Sequence, residues 1–290
     1  MADRWRLLVT RGFDGATNMA VDEALAVSAT AEDAPILRFF DWRPWAVSLG
    51  FHQDPAEIDL ARCQAEGVDV VRRPTGGRAI LHAEELTYSV VVPKGHPSYS
   101  AGISKTYRII SEALQRGLQK LGLPVSFAPA RRHSPDFRAR RKDVPCFASS
   151  ARFEIQVDGK KLVGSAQRHY PSALLQHGSI LIGPAHLALA DFTVGTDLER
   201  QWLKRFLAAR TVCLNELAGT PLNFDEVADA VRTGFAEVFG ADFEPMTLSD
   251  LPLDLVEELR GSFALTRGGM KDGQETGAGG SDLRVAAGRA

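Results

Sequence analysis

Residues 70–93, VVRRPTGGRAILHAEELTYSVVVP, constrain the chain more than any other stretch, because two apolar runs are joined there by a turn that no ordinary connector needs. Val68 to Val71 on one side and Leu86 to Val92 on the other are β-branched and apolar, and they read as strands. Between them stand Arg72, Arg73, Pro74, Thr75, Gly76, Gly77 and Arg78. Paired glycines let the backbone turn sharply and approach a bound group, while arginines supply fixed charge and forked donors. The combination suits a carboxylate, a phosphate or a polarised carbonyl; a glycine turn with solvated arginines is the plain alternative.

The 290 residues allow one large domain or two small ones, and a hydrophobic content of 44% supports a sizeable core. A formal charge of −2 argues against bulk nucleic-acid binding, so electrostatic recognition has to be local. No apolar run approaches the roughly 20 residues of a membrane span, and MADRWRLLVTRG has no signal-peptide core, so a soluble cytoplasmic protein is expected. Cys63, Cys146 and Cys213 lie far apart without CxxC spacing, which suggests neither a disulfide framework nor a zinc site.

In chain order, a first strand is expected over Trp5 to Thr10, then a helix capped by Asn18 with Asp22 and Glu23 in its first turns. Ile36 to Trp42 and Ala46 to Phe51 read as strands joined by Arg43-Pro44; Trp42 and Trp45 either line a pocket for an apolar chain or pack in a core or sheet edge. Asp54-Pro55 with Glu57 predicts a helix start running to about Glu66, with Cys63 a packed thiol. Ser104 to Leu121 has clear helical spacing and ends at Gly122 and Pro124, and a short strand is expected over Val125 to Phe127. Residues 130–145 carry Arg131, Arg132, Arg138, Arg140, Arg141 and Lys142 against Asp136 and Asp143, a solvated loop or a docking site for an acidic partner. Asp158-Gly159 predicts a hairpin between Phe153 to Val157 and Leu162 to Gln167, and Leu174 to Ile182 a further strand. Helices are expected over Leu198 to Ala208, over Phe224 to Phe239 with an Asn223/Glu226 capping box, and over Leu251 to Phe263. One domain over residues 1–265 and a disordered Gly-rich tail over 266–290 complete the reading.

Three side chains could carry chemistry. Cys146 follows the run of cations, which would lower its pKa; a packed small hydrophobe is equally consistent. Lys161, beside the hairpin turn, is either an exposed lysine or, if folded back toward the glycine turn, an oxyanion donor. His177 is either a satisfied structural histidine or part of a cysteine–histidine dyad.

The strings NMAVDEAL, PILRFFDWRPWAVSLGFHQ, RRPTGGRAILHAEELTYSVVVP and CFASSARFEIQVDGKKLVGSAQRHYPSALLQHGSILI resemble, in order, the lipoate–protein ligase and octanoyltransferase superfamily. The resemblance spans roughly residues 5–185, with a helical remainder to about 265. It implies an α/β fold, with mixed β-sheets and surrounding helices, of the biotin/lipoate protein ligase, class II synthetase-like type. Ligases usually read three glycines where this chain has Gly76, Gly77 and Arg78, so PTGGRAILH with Cys146 is more similar to the ligase-like, cysteine-dependent octanoyltransferases. The better-known octanoyltransferases place their cysteine three residues before the His-Gly pair, where Leu174 stands here.

That resemblance implies transfer of octanoyl from octanoyl-acyl carrier protein to a lysine of a lipoyl domain, of a 2-oxoacid dehydrogenase or the glycine cleavage protein. The route is through an acyl-Cys146 thioester, without cofactor or metal. Lys161 would bind the acyl carbonyl; Arg73, Gly76, Gly77, Arg78 and His82 would wall the acyl site, with His177 and Gly178 on the facing strand. The family usually has Asp after the histidine, where this chain has Ala83 followed by Glu84 and Glu85; Glu84 substitutes if that Asp only orients the loop, and has no such role if the Asp binds a reacting group. Two other readings remain open. One is an ATP-dependent lipoate ligase or an amidotransferase between lipoyl domains, and the other a non-catalytic binder of carrier or lipoyl domains.

Overall fold

The computed structural model describes residues 3–99, 103–128 and 154–266. Among the described residues, twelve strands form two sheets. The larger contains β1 (Asp3–Thr10), β2 (Ile36–Phe40), β6 (Glu85–Pro93), β7 (Ser126–Ala128), β8 (Glu154–Val157), β9 (Lys160–His169), β10 (Ala173–Leu181) and β11 (Ala241–Met246), in the order β11-β1-β2-β6-β10-β9-β8-β7. β1 runs parallel to both β2 and β11, and the remaining pairs are antiparallel. The smaller sheet is β12-β4-β3-β5, from β3 (Ala46–Leu49), β4 (Asp69–Arg72), β5 (Ile80–His82) and β12 (Ala264–Thr266). The expected mixed α/β architecture is the observed one.

The helices are α1 (Gly15–Ser28), α2 (Leu60–Ala65), α3 (Ile103–Lys120), α4 (Asp197–Arg210), α5 (Leu214–Leu217), α6 (Phe224–Phe239) and α7 (Leu253–Phe263). The 3.6-residue apolar stripes of α3 and α6 close one face of the large sheet over Trp5, Phe39, Tyr88 and Val90. α1 and α7 close the other face, over Leu8, Phe40 and Leu175. α1 is buried through nearly all its first three turns, because it lies against strands of both sheets and against α7. A third core, built from Val47, Leu49, Val70, Leu81, Leu203 and Leu207, joins the small sheet to α4.

The Asp-Gly hairpin forms as expected, with Asp158 at φ 49° and Gly159 at φ 77°, the positive angles a tight two-residue turn requires. Asn223 and Glu226 make the reciprocal cap of α6, and Gly240 closes it at φ 64°. Other expectations are corrected. α1 starts four residues early, with the Asp14 side chain accepting from Thr17 N; Asn18 and Asp22 are interior, drawn into a buried polar cluster. The single helix expected from Asp54 divides into a 3-10 turn (Pro55–Glu57) and α2, because Asp59 supplies a second cap to Arg62 N. β2 and β3 do not pair with one another: the chain changes sheets across the cis Arg43–Pro44 bond. β5, β11, β12 and the 3-10 segment Pro184–Phe192 are too short or too polar to declare themselves by periodicity. The basic stretch 130–145, Cys146 and the tail beyond Thr266 lie outside the described residues. Among the described residues no helix is long and apolar enough to cross a membrane.

Candidate active site

The site is written into β6. Its even positions, Leu86, Tyr88 and Val90, enter the core under α3 and α6, while Glu85, Thr87 and Ser89 face the other way. β10 lies antiparallel beside it, with His177 opposite Ser89 and Ser179 opposite Thr87. Both strands are buried on both faces, so these polar side chains have to satisfy one another.

They do so in two networks. In the first, Asp22 from α1 accepts from Arg38 Nη1 at 2.7 Å, Ser89 Oγ at 2.8 Å and His177 Nδ1 at 3.0 Å. Arg38 spends its remaining donors on Asn18 and Thr10. Burial alone would raise the Asp22 carboxyl, but Arg38 and the His177 and Ser89 hydrogen bonds outweigh it and hold the group below its ordinary value. Burial pushes His177 down, only partly countered by Asp22, so the ring is neutral with its proton on Nδ1. Its Nε2 then accepts from Thr75 Oγ1 at 2.7 Å, tying β10 to the Arg-Arg-Pro-Thr-Gly-Gly turn.

In the second network, His82 stacks on Trp42 with centroids 4.0 Å apart, donates from Nδ1 to Glu85 Oε1 at 2.7 Å and accepts at Nε2 from Ser48 Oγ at 2.7 Å. Thr87 and Ser179 donate to the same Glu85 oxygen, and Trp42 Nε1 donates to Thr87. Glu85 Oε2 is buried without a hydrogen-bond partner among the described residues. The acid beside His82 is therefore Glu85. Glu84, expected to substitute for the family Asp, instead accepts from Ala185 N and holds the chain leaving β10.

Some of these side chains, with residues of β9, wall a narrow cavity that is partly open to solvent. Met19, Trp42, Ile80 and Ala166 give its wall apolar surface; Arg73, His82, Lys161, His177 and Ser179 give it polar groups. Lys161 is buried, with Nζ 2.7 Å from Glu154 Oε1. A bulge in β9 puts two consecutive residues, Leu162 and Val163, into the core and leaves Lys161 facing the cavity. Val212 N donates to Lys161 O at 3.1 Å and fixes the backbone there.

Of the site residues expected from sequence, Arg73, His82, Lys161, His177 and Gly178 line this one cavity. Arg73 holds the glycine turn through Ser48 and the Gly76 and Arg78 carbonyls, and Arg72 holds residues 50–53 through three carbonyls. Gly76 and Gly77 shape the turn without lining the cavity; Gly77 sits at φ 104° and its carbonyl lies where a Cβ on Gly50 would be, 2.0 Å away. Arg78 pairs with Glu57 at 2.7 Å. Cys146 lies outside the described residues. Asp22, Glu85, Thr87, Ser89 and Glu154 are site residues beyond those expected from sequence; a polar residue at every second place in ELTYSVVVP is the signal for Glu85, Thr87 and Ser89. Burial pushes the Cys63 thiol up to about 12 and Cys213 to about 11.

Residues 14–236 match the lipoyl protein ligase A/B catalytic domain. The chain belongs to this family. Among its relatives, the octanoyltransferase LipM of Kyrpidia tusciae is 41% identical over 262 residues, 89% of this chain and 96% of the relative. That of Bacillus subtilis is 36% identical, over 89% of this chain and 94% of the relative. Among solved structures, a bipartite lipoate protein ligase from Thermoplasma acidophilum, studied with its E2 lipoyl domain, shares the fold at a TM-score of 0.70 and 24% identity, over 89% of this chain and 91% of that one. A putative lipoate protein ligase of the same organism with bound lipoic acid gives 0.68 at 25% identity, over 90% and 94%. The lipoyl ligase fold of this chain thus sets the two-network cavity between β6, β10 and the glycine turn.

Proposed function

We propose that the protein transfers octanoyl from octanoyl-acyl carrier protein to a lysine of a lipoyl domain. The observation that carries this reading is a buried lysine, Lys161, facing a cavity lined by both apolar and polar side chains, in a chain whose relatives are named octanoyltransferases. Cys146 is the proposed nucleophile. The other two cysteines are buried, with thiols pushed up, and Cys146 follows a run of cations that favours its thiolate.

The thiolate attacks the thioester carbonyl, the carbon–sulfur bond to the carrier breaks, and the carrier thiolate takes up a proton. The neutral acceptor amine then attacks the octanoyl-Cys146 carbonyl. A carbon–nitrogen bond forms, the bond to Cys146 Sγ breaks, and the amine's proton passes to the departing thiolate. Thioester to thioester is nearly neutral and thioester to amide is downhill, so the sequence of steps closes without ATP. In both steps charge develops on the carbonyl oxygen, and the Lys161 ammonium is the donor for it. Met19, Trp42, Ile80 and Ala166 offer the apolar surface for the acyl tail.

The test is incubation with octanoyl-acyl carrier protein, without ATP, followed by mass analysis and addition of an apo-lipoyl domain. An octanoyl adduct on Cys146 that hydroxylamine removes, and its loss in Cys146→Ala, are expected. Full transfer by Cys146→Ala would overturn the nucleophile. A requirement for ATP would favour lipoate ligation, the activity named for the structural neighbours.

A further inference from the structure

The segment from Val194 to Val212 is tied at its start to a residue beside the glycine turn and at its end to Lys161. At its start Val194 N donates to the carbonyl of Glu57, the residue that pairs with Arg78 of the glycine turn. At its end Thr211 forms a bridge with Lys161, and Val212 N donates to the Lys161 carbonyl. Between them α4, about 21 Å long by its 14 residues, turns Leu203 and Leu207 into the core beneath the small sheet.

An outer stripe of α4, adjoining this buried face, is apolar as well. Leu198 is 76% exposed, Trp202 39% and the adjoining Val194 61%, and Leu198, Trp202 and Phe206 recur every four residues in one stripe. Trp202 and Phe206 stack with centroids 4.9 Å apart, and the Arg210 guanidinium lies 5.0 Å from the Phe206 ring. Arg200 pairs with Asp197 and Lys204 with Asp191, so the surplus positive charge of this helix rests on Arg205 and Arg210, whereas the whole chain carries −2. Exposed and half-exposed aliphatic and aromatic side chains beside arginines are the composition of an interface centre.

We infer that the outer stripe of α4 is the docking surface for the acidic acyl carrier protein that delivers the octanoyl thioester. The inference rests on the transfer reading above. The positive charge of Arg205 and Arg210 fits an acidic partner, and the Thr211 and Val212 contacts tie this helix to Lys161, the residue that faces the cavity.

The experiment uses the full chain with Leu198→Glu and Arg205→Glu, neither of which lines the cavity. Initial rates are measured with octanoyl-acyl carrier protein and with a small octanoyl thioester, and the preformed octanoyl-enzyme is separately mixed with the lipoyl domain. Each variant is expected to raise KM for the carrier substrate by about 10-fold or more. Rates with the small thioester and from the octanoyl-enzyme to the lipoyl domain stay at wild-type values, which also shows that the variants fold. Added salt raises the carrier KM of the wild type more than that of Arg205→Glu. An unchanged carrier KM in both variants overturns the inference, as does a defect confined to the lipoyl-domain step, which would make the stripe the acceptor's surface. Titration of the enzyme with unacylated carrier separates this inference from the reading it rests on. Binding weakened by both substitutions supports the surface even if no transfer occurs, and equal binding by all three proteins refutes it.

Discussion

Lys161 and Asp22 show two ways in which a charge can be kept inside this protein. Lys161 Nζ is held at 2.7 Å by Glu154 from the neighbouring strand, so its position in the cavity depends on a partner eight residues from Cys146. Lys161→Met should slow octanoyl transfer by about 100- to 1000-fold, the usual effect of removing one preorganised oxyanion donor, as read in single-turnover assays. Asp22 and Arg38 are both fully buried, and removing either strands the other. Asp22→Ala should therefore cost about 3–5 kcal/mol in urea unfolding, and the double variant with Arg38→Met less than the two single changes summed. Cys63 and Cys213 are buried thiols, so iodoacetamide near neutral pH should leave both unmodified in the folded protein and label them only after denaturation.

At the scale of elements, the α3–α6 contact depends on two glycines. A Cβ on Gly234 would stand 2.3 Å from Ala113 O and 2.4 Å from Gly117 N, and one on Gly117 would stand 2.6 Å from Ala230 O. Backbone meets backbone there, and no side chain can move aside. Gly234→Ala should therefore destabilise the fold by about 1–3 kcal/mol, seen as a lower Tm. How much of each element was legible in sequence follows from how local its cause is. α6 was read end to end because its cap and stripe are short-range patterns, whereas α1 was shifted because Asn18 and Asp22 look like capping residues until Arg38, sixteen residues beyond Asp22, is folded against them. β2 and β3 were read as strands, but their membership of different sheets is a long-range outcome.

For the whole molecule, acid stability follows from groups held away from their ordinary values. Burial depresses His177, His186 and His169 from 6.5, so the unfolded chain binds more protons as the pH falls below that value. Their stabilisation is complete above about 6.5 and lost as pH falls through their folded values. Asp14 and Asp22, depressed from 3.8 despite burial, add a second loss below that value. Thermal melts should accordingly show a Tm that is flat near neutrality and falls on acidification in two stages.

By itself the sequence determined the local and the chemical. It set the strands around the glycine turn, the Asp-Gly hairpin and the amphipathic helices, because periodicity and turn chemistry act over a few positions, while the family resemblance pointed to Lys161, His82 and His177. Only the tertiary structure decided that Lys161 looks inward, that Glu85 and not Glu84 accompanies His82, and that Asp22 orients His177. Each of those outcomes depends on which strand lies beside which, and on buried polar groups finding partners there. Glu154 and Lys161 meet through adjacent strands, Asp22 and His177 across 155 positions of chain, and no pattern in either neighbourhood announces the meeting.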